Sequence, residues 1–233
     1  MSKHNLELLG EAARLVSPLL GELVFVGGST TALLITDKAA AEVRPTYDVD
    51  AIAEISSYAA YADFSERLRR CGFSEDVSEG APICRWRLKK TILDVMPLDE
   101  KILGFSNRWY KPAMDSAVVH ELEPDLRVRV VTAVYFCATK LEAFAGRGKH
   151  DYQSSHDLED LMAVVDGRPE LAEEIRSGPE DVRAYIGAEF RKLLATPEFL
   201  DALPGYLLPD QASQARVSIL LERLRKIEAL LIG

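Results

Sequence analysis

Arg44-Pro45-Thr46-Tyr47-Asp48-Val49-Asp50 is the stretch on which the reading of this chain turns. It closes a polar connection over 36–46 and opens an alternating run. From Tyr47 to Ala53, Tyr47, Val49, Ala51 and Ala53 fall on one side and Asp48, Asp50 and Ile52 on the other, which predicts a strand. Residues two apart on a strand project to the same face, so Asp48 and Asp50 stand side by side. Two carboxylates that close repel each other unless a cation lies between them. A hard divalent ion such as Mg²⁺ takes oxygen ligands and keeps positions open for phosphate oxygens. Two ordinary aspartates on a solvent-facing strand have the same spacing.

Upstream, Leu23-Val24-Phe25-Val26 predicts a short buried strand, followed at once by Gly27-Gly28-Ser29 and a short helix over 30–35 that Ser29 is placed to cap. Glycines let a backbone pass close to a ligand, and a helix start offers free N–H groups to an anion; a plain Gly-Gly turn has the same composition. Downstream, Ile83–Leu88 and Thr91–Met96 predict two strands joined through Lys89-Lys90, with Asp94 inside the second. An aspartate in an apolar strand is costly to bury alone, so Asp94 needs a basic partner, a metal, or a place at the strand edge.

Helical spacing marks 5–20 and 58–70, and 99–116 reads as a loop with one helical turn. Strands are expected over 118–122 and 126–131. From Thr132 onward the pattern is helical, near 132–146, 156–166, 168–176, 179–195, 197–203 and 211–231, with Gly and Pro breakers between. The expected organisation is an α/β domain with a mixed sheet over 1–131 and a helical C-terminal region over 132–233, packed on it.

Composition removes several classes of function. Lys plus Arg is 28 and Asp plus Glu is 37, a net charge of −9, which argues against sequence-independent coating of nucleic acid. No apolar run approaches the ~18 residues of a membrane span, and the N-terminus lacks the apolar core of a signal peptide. Cys71, Cys84 and Cys137 are an odd count without CxxC spacing, which fits a reduced, cytoplasmic setting and packing roles. His4, His120, His150 and His156 do not pair at zinc-ligand spacing. Neither GxSxG nor GxxxxGK[ST] occurs, so a serine hydrolase of that type and a P-loop NTPase lack support. Phe105-Ser106-Asn107-Arg108-Trp109-Tyr110-Lys111 interleaves aromatics with cations, a pattern open to stacking on a base or to packing a loop on the sheet.

A Gly-Gly-Ser turn, then an aspartate pair, then a single aspartate on a later strand resembles the layout of the polymerase-β-type nucleotidyltransferases. Within them the chain resembles the family of the AbiEii/AbiGii toxins of abortive-infection and toxin–antitoxin systems. The resemblance runs over about 20–166. It rests on Gly27-Gly28-Ser29, on Arg44 to Asp50, on Asp94, on Lys140-Leu141-Glu142-Ala143-Phe144-Ala145-Gly146-Arg147-Gly148-Lys149, and on His156-Asp157-Leu158-Glu159-Asp160-Leu161. It implies transfer of a nucleoside monophosphate from an NTP such as ATP to an acceptor, with release of pyrophosphate and with Mg²⁺ or Mn²⁺ as cofactor. Asp48, Asp50 and Asp94 would be the metal ligands and catalytic carboxylates, with Asp94 helping to deprotonate the acceptor hydroxyl. Gly27, Gly28 and Ser29 would hold phosphates, and Arg44, Lys140 and Asp157 (Asp160 second) would serve the nucleotide. Implied partners are the NTP, an acceptor such as tRNA or a protein, and a cognate antitoxin protein, with no membrane.

There are departures. The 18 residues 30–47 between Ser29 and Asp48 exceed the compact form of the motif. His150-Asp151 stands where a basic residue is usual, and His156 where relatives often carry Arg; Arg147 and Lys149 read either as nucleotide contacts or as solvated charges. Two other functions share the site pattern: an aminoglycoside-type antibiotic-modifying nucleotidyltransferase, and a nucleotide-binding regulatory module without turnover.

Overall fold

The computed structural model describes residues 3–147 and 151–231, with side chains on all but Arg147 of these. Lys149 and His150, and the side chain of Arg147, lie outside that description. The described residues divide into two units, one of 3–32 and 44–132, the other of 33–43, 133–147 and 151–231.

The first unit is built on a sheet. Helix α1 (Lys3–Leu15) buries Leu9, Ala12 and Ala13 and packs against the sheet. It stops short of the expected residue 20, because Pro18 starts a 3₁₀ segment over Ser17–Glu22. Strand β1 (Leu23–Val26) is wholly buried. A 3₁₀ turn over Gly28–Thr30 then feeds helix α2 (Thr31–Leu34). Strand β2 (Val49–Ala53) follows, then α3 (Tyr58–Arg70), capped by the Ser57 hydroxyl on the Ala60 N–H. Next come β3 (Ser74–Glu75), β4 (Arg85–Leu88) and β5 (Thr91–Pro97). The expected single turn within 99–116 is two short helices, α4 (Glu100–Leu103) and α5 (Tyr110–Asp115). Strands β6 (Val118–Glu123) and β7 (Leu126–Val130) complete the unit.

The seven strands form one mixed sheet in the order β3-β4-β5-β2-β1-β7-β6. Pairs β1–β2, β3–β4, β4–β5 and β6–β7 are antiparallel, while β2–β5 and β1–β7 are parallel. Val24, Phe25, Ile52, Leu93 and Trp86 make the centre of its core.

The second unit is helical: α6 (Ala133–Arg147), α7 (His156–Gly167), α8 (Leu171–Ser177), α9 (Glu180–Leu194), α10 (Pro197–Ala202), α11 (Gln211–Gln214) and α12 (Val217–Glu228). The helix expected over 211–231 is therefore interrupted at Ala215-Arg216. Phe136, Leu158, Leu161, Ile186, Phe190, Phe199, Leu220 and Leu224 are fully buried in this unit. The arm 33–43 is fastened here: Thr36 and Asp37 donate their N–H groups to the Gly167 carbonyl at 2.9 Å, and Arg216 spans Asp37 (2.8 Å) and buried Asp166 (2.9 Å). Arg216 stands at the N-cap of α12, in the break after α11. Among the described residues no helix is long and apolar enough to cross a membrane.

Candidate active site

Strand register builds the site. Val26 lies opposite Asp50, Asp50 beside Asp94, and Asp94 opposite Arg85, a single row across β1, β2, β5 and β4. Residues paired in this way point to the same side of a sheet, so the row sets two carboxylates and a guanidinium on one face. Asp48, two residues before Asp50, joins them.

Arg85 ties the face together. Its Nε donates to Asp94 Oδ1 at 2.9 Å, and its Nη2 to Asp94 Oδ2 at 2.7 Å and to Asp48 Oδ2 at 2.8 Å. The Asp94 side chain is 8% exposed and that of Arg85 19%, so little water screens the pair. The hydrogen bond to Asp94 raises the pKa of the guanidinium above its already high value, and Arg85 is a permanent cation. The other oxygen of Asp48 accepts from the Thr46 hydroxyl at 2.9 Å. Below the row, Cys84 is buried, and burial followed by the charges of Asp94 and Asp50 pushes its thiol up to about 12.

The glycine turn closes on the same carboxylates. Gly27 has φ of 71°, and a methyl group on its Cα would overlap the Asp50 carboxylate, with its carbon only 2.8 Å from Asp50 Cγ. Glycine is required there for both reasons. Gly28, Ser29 and Thr30 are buried. The Ser29 hydroxyl turns back to the Val26 carbonyl at 3.5 Å, and the Thr30 hydroxyl donates to the Gly27 carbonyl at 2.9 Å. Ser29 therefore lies inside the 3₁₀ turn, and the N-cap position of that turn is Gly27, with no side chain to offer.

Asn5 on α1 holds two loops in place. Its amide donates to the Gly28 carbonyl at 3.4 Å and to the Arg44 carbonyl at 3.0 Å, and its oxygen accepts from the Thr46 N–H at 3.1 Å. His4 adds a hydrogen bond between Nε2 and the Thr46 carbonyl at 2.9 Å. Side chains of α1 thus hold the backbone of the Arg44–Thr46 segment.

Lys140 and Asp157 belong to the helical unit. Lys140 is buried on α6, with Nζ 3.2 Å from Asp157 and 2.7 Å from Asp160 on the next helix. The three-residue step from Asp157 to Asp160 puts both acids on one face, as their spacing requires. His156 is exposed beside Glu159. Trp109 is buried, with the Arg108 guanidinium 5.4 Å from its ring centroid, so this part of the aromatic–basic segment packs against protein.

Three carboxylates on one face have the donor chemistry of a hard-cation site. Their arrangement does not fit a two-ion cage, because Arg85 fills the place between Asp94 and Asp48. Among the described residues no three His, Cys, Asp or Glu side chains are grouped as a metal site.

Sequence reading missed Arg85 and Asn5. For Arg85 the signal was present. With Lys89-Lys90 as a two-residue turn, Leu88 faces Thr91, and counting back along both strands sets Arg85 against Asp94, as observed. Asn5 gave none, since an asparagine in the first turn of a helix is unremarkable by composition.

No protein-family model matches the sequence, and no curated protein does. Solved structures do. The fold is similar to that of an antigenic nucleotidyltransferase-like protein from Paracoccidioides brasiliensis, with a TM-score of 0.54 and 15% identity over 86% of this chain and 92% of that one. It is also similar to a nucleotidyltransferase-type protein from H. pylori described as putative, with a TM-score of 0.52 and 11% identity over 100% of this chain and 98% of that one. The chain has a nucleotidyltransferase-like fold.

Proposed function

We propose that this chain transfers a nucleoside monophosphate from an NTP to an acceptor and acts as a toxin of the AbiEii/AbiGii kind on tRNA or on a protein. The observation that carries the reading is the close approach of the Gly27 turn to Asp50, on the face that also bears Asp48 and Asp94. In the proposed reaction an acceptor hydroxyl oxygen bonds to the α-phosphorus, the bond from that phosphorus to the bridging oxygen breaks, and pyrophosphate leaves with its electron pair. The acceptor proton passes to the carboxylate face. The glycine turn lets the phosphates approach the backbone, and the carboxylates orient the reacting end. Mg²⁺ would arrive as part of the NTP substrate and neutralise phosphate charge. Lys140 and Asp157 keep their proposed nucleotide role on the sequence resemblance alone, as does a cognate antitoxin partner.

The test is transfer of label from α-labelled NTPs to total tRNA, to protein and to an aminoglycoside panel, with Mg²⁺ or Mn²⁺. Label on tRNA or protein, reduced at least about 100-fold in Asp50→Ala with an unchanged circular dichroism spectrum, is expected. Label on a drug makes the chain an antibiotic-modifying enzyme. Full activity in Asp50→Ala refutes the assignment of the carboxylates. One observation favours a second reading, a nucleotide-binding module without turnover: Arg85 already neutralises two of the three carboxylates. No label on any acceptor, with NTP binding retained, would select it.

A further inference from the structure

A pair of divalent ions and the observed carboxylate face disagree at Arg85. Its position is fixed by the sheet. Trp86 is buried on the opposite side of β4, so alternation turns Arg85 toward the carboxylates, and the register sets it against Asp94. Its three side-chain hydrogen bonds to these acids go to oxygens a metal would use, two on Asp94 and one on Asp48. The remaining Asp48 oxygen is held by Thr46. With both Asp94 oxygens and Asp48 Oδ2 bonded to Arg85, the oxygens that a second ion would need are already taken. A second ion would stand against a poorly screened guanidinium.

We propose that the Arg85 guanidinium takes the place of one divalent ion, as the built-in cation of Asp94 and Asp48, so that the free chain takes up no divalent metal on this face. At most one ion then joins it, brought in by a nucleoside triphosphate. This rests on the carboxylate assignment made for the proposed function, but its test counts bound ions and needs no transfer reaction.

The experiment is Mn²⁺ titration of the full chain, followed by the spin-resonance signal of free Mn²⁺, with and without an α,β-methylene NTP analogue. Wild type without nucleotide is expected to bind no Mn²⁺ up to about 1 mM, the weak end of carboxylate sites. With the analogue it is expected to hold no more than one ion. Arg85→Gln is expected to bind at least about tenfold tighter than wild type without nucleotide. Arg85→Lys, which keeps the charge, is expected to stay as weak as wild type, and adding Asp94→Asn to Arg85→Gln to remove the gain. Any ion held by wild type without analogue and lost on Asp94→Asn, or two ions with analogue, overturns the proposal. So does a folded Arg85→Gln that binds no tighter, or a gain that survives Asp94→Asn. Should Arg85→Gln fail to fold, the wild-type ion count still decides. A chain that transfers no label but excludes Mn²⁺ as described loses the proposed function and keeps this inference.

Discussion

Gly27 is the position where the smallest chemical change reaches the carboxylates. Its left-handed φ and its approach to Asp50 both exclude a side chain. Gly27→Ala is expected to lower stability by roughly 1–3 kcal/mol, because strain at a left-handed non-glycine residue adds to displacement of Asp50. Nucleotide affinity should fall with it. Urea denaturation and NTP-analogue binding check both, and a variant as stable as wild type would contradict the geometry. Gly28, one residue on, carries no positive φ and is recognised by Asn5 through its carbonyl. The sequence required a partner for Asp94 and left open whether it was basic, metallic or absent. The structure supplies the basic one, because hairpin register delivers a guanidinium there at hydrogen-bond distance. Ser29 was misread for a related reason: a serine after two glycines has the composition of a cap, but a 3₁₀ turn begins a residue earlier and buries it.

At the scale of elements, α1 does more than cover the sheet. Through Asn5 it sets the spacing between the turn after β1 and the segment leading into β2. Asn5→Ala removes three hydrogen bonds: the buried Thr46 N–H and the part-buried Arg44 carbonyl lose this partner, while the Gly28 carbonyl keeps the Thr31 N–H. A loss of about 1–3 kcal/mol in stability is expected, with weaker NTP binding and with helix content kept. Denaturant curves and circular dichroism measure these, and unchanged stability would mean that water satisfies those groups equally well. The boundaries of α3 and β1 and the turn of the β4–β5 hairpin were legible because apolar periodicity and turn composition act locally, while β4 begins at Arg85 and not at the expected Ile83. The long interval before Asp48 was not. It holds only the short α2 and then the arm 33–43, whose hydrogen bonds run to Gly167 and Arg216. Those contacts join residues more than a hundred positions apart, and no local pattern encodes them.

For the molecule as a whole, each unit carries its own core and a buried thiol that reports on it: Cys84 under the sheet's carboxylates, Cys137 within α6. Both are pushed to about 12 from an ordinary value of 9.0, Cys84 by burial and two carboxylate charges, Cys137 chiefly by burial. Below pH 9 the folded and unfolded chains both keep these protons, and the thiols give stability no pH dependence. From 9 to 12 the unfolded chain loses protons that the folded chain retains, so stability falls as pH rises. In a Cys71→Ser background, the urea midpoint is expected to drop between pH 8 and pH 10.5, and iodoacetamide to label Cys84 and Cys137 only as their own units unfold. Prompt labelling of either at pH 8 in native buffer would show that its burial is wrong.

The sequence by itself determined the mixed α/β character of the first part, the helical character of the last, and the strand that carries Asp50, which begins at Val49 and not at the expected Tyr47, so that Asp48 precedes it. Each follows from a backbone period that acts within a few residues. Only the tertiary structure decided that Asp94 joins Asp50 on one face, that Arg85 lies between Asp94 and Asp48, and that Asn5 clamps the glycine turn. Strand order, parallel register and burial arise from packing distant segments, and two sequences of the same local period can satisfy them differently.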